Sequence, residues 1–179
     1  WQIYHWNLAF LNIYTNSLSN NLKNMSIKIS YSNKTLSKSL SNLILFTNDK
    51  FNISGIKKNL SNHEFSYIND LLKTSDLKKN LLVFEINSKK NIVLISIKNN
   101  LKISNIENLG AELFGRLNQE KKTEYSLNTD SVVGKYENFV GHFLHGLKLK
   151  SYEFKKYKTK KKLNNIVINV FGSKNKPSS

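Results

Sequence analysis

The sequence contains no cysteine, so it has no disulfide frame, no thiolate zinc site and no thiol nucleophile. It has almost no arginine: Arg116 is the single one among 28 basic residues. Base readers and phosphate clamps favour the planar fork of arginine over lysine, so this composition argues against a dedicated base-reading protein. Acids are few, 12 in 179 residues, and paired carboxylates for general acid–base work are correspondingly scarce. No apolar run approaches the roughly 18 residues that a membrane helix needs. No glycine-rich loop follows a strand in the way that cradles phosphate, and no serine sits in a nucleophile elbow. These absences make the chain a poor candidate for an enzyme by its own residues.

What is present is charge, at a formal +16 with a pI near 9.9, and enough apolar side chain, 39%, to build a core. The length suits one domain. A surplus of this size points to an acidic partner, nucleic acid or an anionic surface. The excess is nearly all lysine, in a chain crowded with asparagine and isoleucine. Those three residues are what AT-rich codons supply, so a coding bias accounts for much of the charge without any ligand.

Residues 1–24 are aromatic-rich and carry no acid. They lack the positively charged start and small-residue cleavage site of a secretory signal. Met25 is the only methionine, and the regular pattern begins after it. Residues 1–24 are therefore expected to be an upstream or disordered segment, the alternative being an amphipathic docking segment built on Ile3, Trp6 and Phe10. The sequence starts with Trp1, which suggests a fragment or a processed product.

From Met25 onward strands and helices interleave. Residues 26–31 alternate as a half-buried strand should, and 42–47 form a continuous apolar run. A capping box, Ser61 with Glu64, opens a helix carrying Phe65, Ile68, Leu71 and Leu72 on one face. Residues 81–86 and 91–97 read as a hairpin across the polar turn "NSKK". A second capping box, Ser104 with Glu107, is expected to start a helix whose apolar face holds Ile106, Leu109, Gly110, Leu113, Phe114 and Leu117. Gly110 and Gly115 lower helix propensity there, which predicts close packing on a sheet. After a short strand at 124–127, Thr129 or Asp130 is expected to cap a long helix with Val132, Val133, Tyr136, Phe139, Val140, Phe143, Leu144 and Leu147 on one face. The last strand spans 165–171. The order, β-β-α-β-β-α-β-α-β, predicts an α/β sandwich with a mixed central sheet covered by helices on both faces.

Four histidines occur: His5, His63, His142 and His145. His142 and His145 stand three apart on the long helix and are neighbours on its surface. The nearest acid in sequence, Glu137, lies well round that helix, and no third metal ligand is apparent. Beyond the helix runs "GLKLKSYEFKKYKTKKK", dense in lysine and aromatics. Tyr152, Phe154 and Tyr157 are spaced like anchors that fix the chain after the helix, with lysines keeping their charges in water.

The ordered combination of "ENLGAELFGRLN", a short strand, and a long helix running into "SYEFKKYK" resembles the amino-terminal domain of the leucine aminopeptidase family. The matching residues are Gly110 and Ala111 on the earlier helix, then Gly146, Ser151, Tyr152, Phe154, Tyr157 and Lys158. The resemblance covers about residues 25–171. It implies a macro-like three-layer α/β domain, with residues 172–179 beginning a linker to a catalytic domain. That domain would hold two divalent metal ions, manganese or zinc, and remove amino-terminal residues from peptides, in a cytoplasmic hexamer without membrane contact. The family's "NTDAEGR" signature has no counterpart: "NTDSVVGK" at Asn128 lacks its second half and falls in the wrong domain. No metal ligand, cofactor-binding residue or catalytic residue carries over to this sequence, so the chain alone is expected to be inactive. The other reading is a basic macro-like module that binds nucleic acid or a phosphorylated ligand, with the lysine-aromatic run supplying phosphate contacts and stacking.

Overall fold

The structure, a computed structural model, describes residues 27–32, 42–157 and 165–173, with no side-chain detail for 154–157. Six strands form one sheet: β1 (Ile27–Ser32), β2 (Asn42–Asn48), β3 (Leu81–Asn87), β4 (Lys90–Ile97), β5 (Glu124–Asn128) and β6 (Ile166–Phe171). They lie in the order β1-β6-β5-β2-β4-β3. Every neighbouring pair is parallel except the β3–β4 hairpin. Three α-helices cover the sheet: α1 (Asn62–Leu72), α2 (Ile103–Leu117) and α3 (Phe139–Tyr157). The mixed sheet lies between helical layers, so the fold is the three-layer α/β sandwich that the element order predicts.

Side chains alternate across the strands and divide the core in two. On one face Ile44, Phe46, Val93, Ile95, Tyr125, Leu127, Ile166, Ile168 and Val170 pack under α2 and α3. On the other, Leu43, Leu45, Phe84, Ile92 and Leu94 pack under α1 and a 3-10 turn at Ser54–Asn59. Strands β2 and β4 are buried on both faces, which is why they read as unbroken apolar runs. Phe46 anchors α3 to β2 through edge-to-face contacts with Phe139 and Phe143, with ring centroids 5.3 and 5.2 Å away.

The first capping box forms as expected. The Glu64 N–H donates to Ser61 Oγ at 3.2 Å, and the Ser61 N–H donates to Glu64 Oε2 at 2.8 Å. The second does not. Helix α2 begins earlier, with Lys102 at the N-cap and Asn105 Oδ1 accepting from the Lys102 N–H. Glu107 instead faces His145 across the helix pair.

The long helix also starts later than its apolar spacing predicts. Thr129–Ser131 makes one 3-10 turn, a loop follows, and α3 begins only at Phe139. Gly134 (φ 84°) and Asn138 (φ 47°) take left-handed conformations that an α-helix cannot contain. Val132 and Tyr136 reach the same core from this loop. At its other end α3 continues through Ser151 and Tyr152 to Tyr157, so the residues expected to anchor the chain after the helix are part of the helix. The reading of residues 1–24 lies outside the described residues.

Candidate functional site

In an open α/β sheet, ligands gather outside the carboxyl ends of neighbouring strands whose connections leave toward opposite faces. Here those strands are β2, followed by α1 on one face, and β5, followed by α3 on the other. At these strand ends the protein's own polar groups bond to one another. Ser131 Oγ accepts from the Phe46 N–H at 2.9 Å and donates to the Asn128 carbonyl at 2.6 Å, stitching the strand ends together. Asn48 Oδ1 accepts from the N–H groups of Lys50 and Asn52, which folds the β2 loop around Phe51 at φ 52°. The Tyr136 hydroxyl donates to the Lys98 carbonyl at 2.5 Å and draws the β5 loop over the end of β4.

The "NTD" residues complete this rim. Asn128 Oδ1 accepts from the Asp130 N–H at 2.9 Å. Thr129 Oγ1 donates to the Phe171 carbonyl at 3.1 Å, while Asp130 Oδ1 accepts from both the N–H and the Oγ of Ser173, at 2.8 and 2.7 Å. The run caps no α-helix. It locks the chain as it leaves β6, around Gly172 at φ 116°.

The residues singled out from sequence meet elsewhere, at the crossing of α2 and α3. A Cβ on Gly110 would strike the Phe143 carbonyl oxygen, and one on Gly146 would strike the Glu107 carbonyl. Each glycine therefore lets the backbone of the opposite helix come into direct contact. Gly110 packs on a helix, not on the sheet as expected, and Gly115 faces open space. Ala111 stands beside Gly110, half-buried. Ser151 is buried, and its hydroxyl donates to the Lys148 carbonyl at 2.8 Å. Tyr152 is 62% exposed and anchors nothing among the described residues. The side chains of Phe154 and Tyr157, and all of Lys158, lie outside the described residues.

No three metal-ligating side chains come together among the described residues. His145 Nδ1 lies 2.8 Å from Glu107 Oε1, an exposed pair joining α2 to α3. Sequence reasoning missed Ser131, the Asp130–Ser173 lock and a buried Lys90–Glu64 ion pair. All three depend on contacts between distant segments, although Gly134 and Asn138 do mark the loop that carries the rim.

Comparison with known proteins agrees with this geometry at the level of fold. The chain aligns with a mutant of tomato leucine aminopeptidase at a TM-score of 0.56 and 12% identity, over 82% of this chain and 32% of that one. It aligns with the macrodomain of Thermus aquaticus DarG at a TM-score of 0.52 and 9% identity, over 82% of this chain and 99% of that one. The fold is macrodomain-like. No family model and no curated protein sequence matches the chain. It spans about a third of the aminopeptidase chain it resembles. Among the described residues, no helix is long and apolar enough to cross a membrane.

Proposed function

We propose that this chain is the amino-terminal, non-catalytic domain of a metal-dependent leucyl aminopeptidase. Its work is to pack against a catalytic domain in the same polypeptide and to help assemble a cytoplasmic homo-oligomer, a hexamer by resemblance. The observation that carries this reading is the α2–α3 crossing. Gly110 and Gly146 are the glycines that resemble aminopeptidase motifs, and each admits the backbone of the opposite helix. The reading is supported further by the Asp130 lock, which holds Ser173 as the chain leaves β6. Peptide hydrolysis would belong to the catalytic domain, whose two manganese or zinc ions would activate water and polarise the scissile carbonyl.

Isolation of the native polypeptide with an antibody against residues 42–157 tests this. The expected product is longer than 179 residues and hydrolyses a leucyl chromogenic substrate in a chelator-sensitive way, while the 179-residue chain alone does not. A native polypeptide without peptidase activity would overturn the reading.

A second reading, a basic module that binds nucleic acid or a phosphorylated ligand, is favoured by one observation. Tyr152 projects into solvent beside Lys148, at the head of the lysine run. Such binding would be weak and would fall steeply with salt. No retention of single-stranded nucleic acid at low salt would remove it.

A further inference from the structure

The sheet has an open edge at β3. Among the described residues no strand pairs with its outer side. The Ser96 N–H donates to the Asn80 carbonyl, and the β3–β4 register continues from that bond through Leu81–Ile95 to Glu85–Asn91. Hydrogen-bonded and non-bonded pairs alternate along an antiparallel ladder. Asn80, Leu82 and Phe84 therefore turn their backbone groups toward β4, and Leu81, Val83 and Glu85 turn theirs outward. Edge strands are normally guarded by proline, lysine or an inward charge. The strand "LLVFEIN" has none of these. Its guards are the exposed carboxylate of Glu85 and the irregularity between Glu85 and Asn87, which leave Leu81 to Phe84 as a regular, apolar edge.

We infer that this edge pairs with the β3 edge of a second copy of the chain, antiparallel about a two-fold axis at Val83. In that register Val83 faces Val83 of the second copy and Leu81 faces Glu85, so the three outward residues pair only with one another. Leu82 then lies opposite Phe84, joining the apolar layers beneath α1 in the two copies. The exposed Glu85 lies opposite Leu81 and so comes near the exposed Lys79, in the bend that leads into β3 of the second copy, which brings opposite charges together. Moving the axis to Leu81 carries two of the three outward residues, Val83 and Glu85, past the end of the partner strand, and moving it to Glu85 sets Val83 against the irregularity at Asn87. Five residues a side make a small interface, so the dimer is weak and depends on concentration. Each copy carries a net +16, and salt that screens this repulsion strengthens the dimer. That is opposite in sign to any nucleic-acid contact. The inference does not rest on the aminopeptidase reading and can fail without it.

The absence of cysteine gives a clean test. Val83→Cys in the full chain places single thiols opposite each other across the axis. A short bifunctional thiol reagent should convert most of this variant to covalent dimer, and convert severalfold less of Tyr152→Cys, whose thiol sits on the exposed face of α3. Val83→Pro removes an outward N–H and spares the ladder with β4, so it should abolish dimer in sedimentation while the circular dichroism spectrum is retained. Should that variant fail to fold, Glu85→Lys sets like charges against Lys79 and should weaken the dimer several-fold. A chain that is monomeric at every concentration and does not cross-link through Val83→Cys overturns the inference. So does a dimer that persists in folded Val83→Pro or is unweakened by Glu85→Lys.

Discussion

Lys90 Nζ lies 2.6 Å from Glu64 Oε1, with 6% and 10% of the two side chains exposed. The pair ties the start of β4 to the capping box of α1, so one carboxylate serves both a backbone N–H and a buried ammonium. Burial alone would push the Glu64 carboxyl up. The hydrogen bonds from Lys90 and the Ser61 N–H outweigh it and hold the group below the usual carboxylate range.

Breaking such a pair leaves a buried charge unmatched, which costs about 3 kcal/mol or more. Lys90→Met should lower unfolding stability by that order in urea titrations at neutral pH. Lys90→Met combined with Glu64→Gln should recover much of the loss. Because the folded carboxyl is depressed, its contribution is present above the unfolded value, roughly pH 4.3, and is lost as pH falls through the folded value. Glu64→Gln should lack that acid-side loss.

Tyr125 is fully buried, and its hydroxyl has no hydrogen-bond partner among the described residues. Burial pushes the phenol up to about 12; Glu120 adds to the shift and Arg116 opposes it. An unpaired buried hydroxyl costs about 1 kcal/mol or more, so Tyr125→Phe should be neutral or stabilising by about that amount. A raised phenol contributes stability that is intact below the unfolded value, near pH 10, and declines as pH rises toward 12. The advantage of Tyr125→Phe should therefore widen on the alkaline side, as thermal melts at rising pH would show.

Local signals in the sequence were reliable where the physics is local. The Ser61–Glu64 box, the β3–β4 hairpin and the apolar face of α2 each rest on residues within a few positions of one another. The start of α3 misled because Val132 and Tyr136 are apolar at helical spacing, yet reach the core from a loop. Gly134 and Asn138, both tolerant of the left-handed region, were the contrary signal. The buried partner of Lys90 and the lock at Asp130 join residues 26 and 43 positions apart. Only the strand order brings them together, and periodicity cannot specify that order. Gly110 and Gly146 were legible as motif residues, but nothing in the sequence said that they meet at one helix crossing.

Asp130 accepts two hydrogen bonds from Ser173 and thereby fixes the chain after β6. Asp130→Ala removes both and should cost about 1–2 kcal/mol, since each bond has a charged acceptor and an exposed setting. The more specific consequence is local. The Ser173 amide should exchange with solvent faster in Asp130→Ala than in the parent chain under native conditions, because exchange follows local opening. Equal exchange rates would mean that Asp130 does not hold Ser173.

Helix propensity and packing oppose each other at the glycines of the helix pair, and the structure decides which wins. Alanine is favoured over glycine by about 1 kcal/mol inside a helix. At Gly115 nothing lies within 4 Å of an added Cβ, so Gly115→Ala should stabilise the fold by about that amount. At Gly110 the same methyl meets the Phe143 carbonyl and lies 2.9 Å from the Leu147 nitrogen, while at Gly146 it meets the carbonyl of Glu107. These neighbours are backbone and cannot rotate aside. The helices must separate, which also opens the contacts of Leu109, Leu113, Phe143 and Leu147 in the core. Overpacking typically costs about 1–3 kcal/mol, and a methyl set against backbone belongs at the upper end, above the propensity gain. Gly110→Ala and Gly146→Ala should therefore each lower the denaturation midpoint while Gly115→Ala raises it. Three changes of identical chemistry would then differ in sign solely through the helix crossing. A stabilising Gly110→Ala would show that α2 and α3 do not meet backbone to backbone, and would withdraw the observation on which the aminopeptidase-domain reading rests.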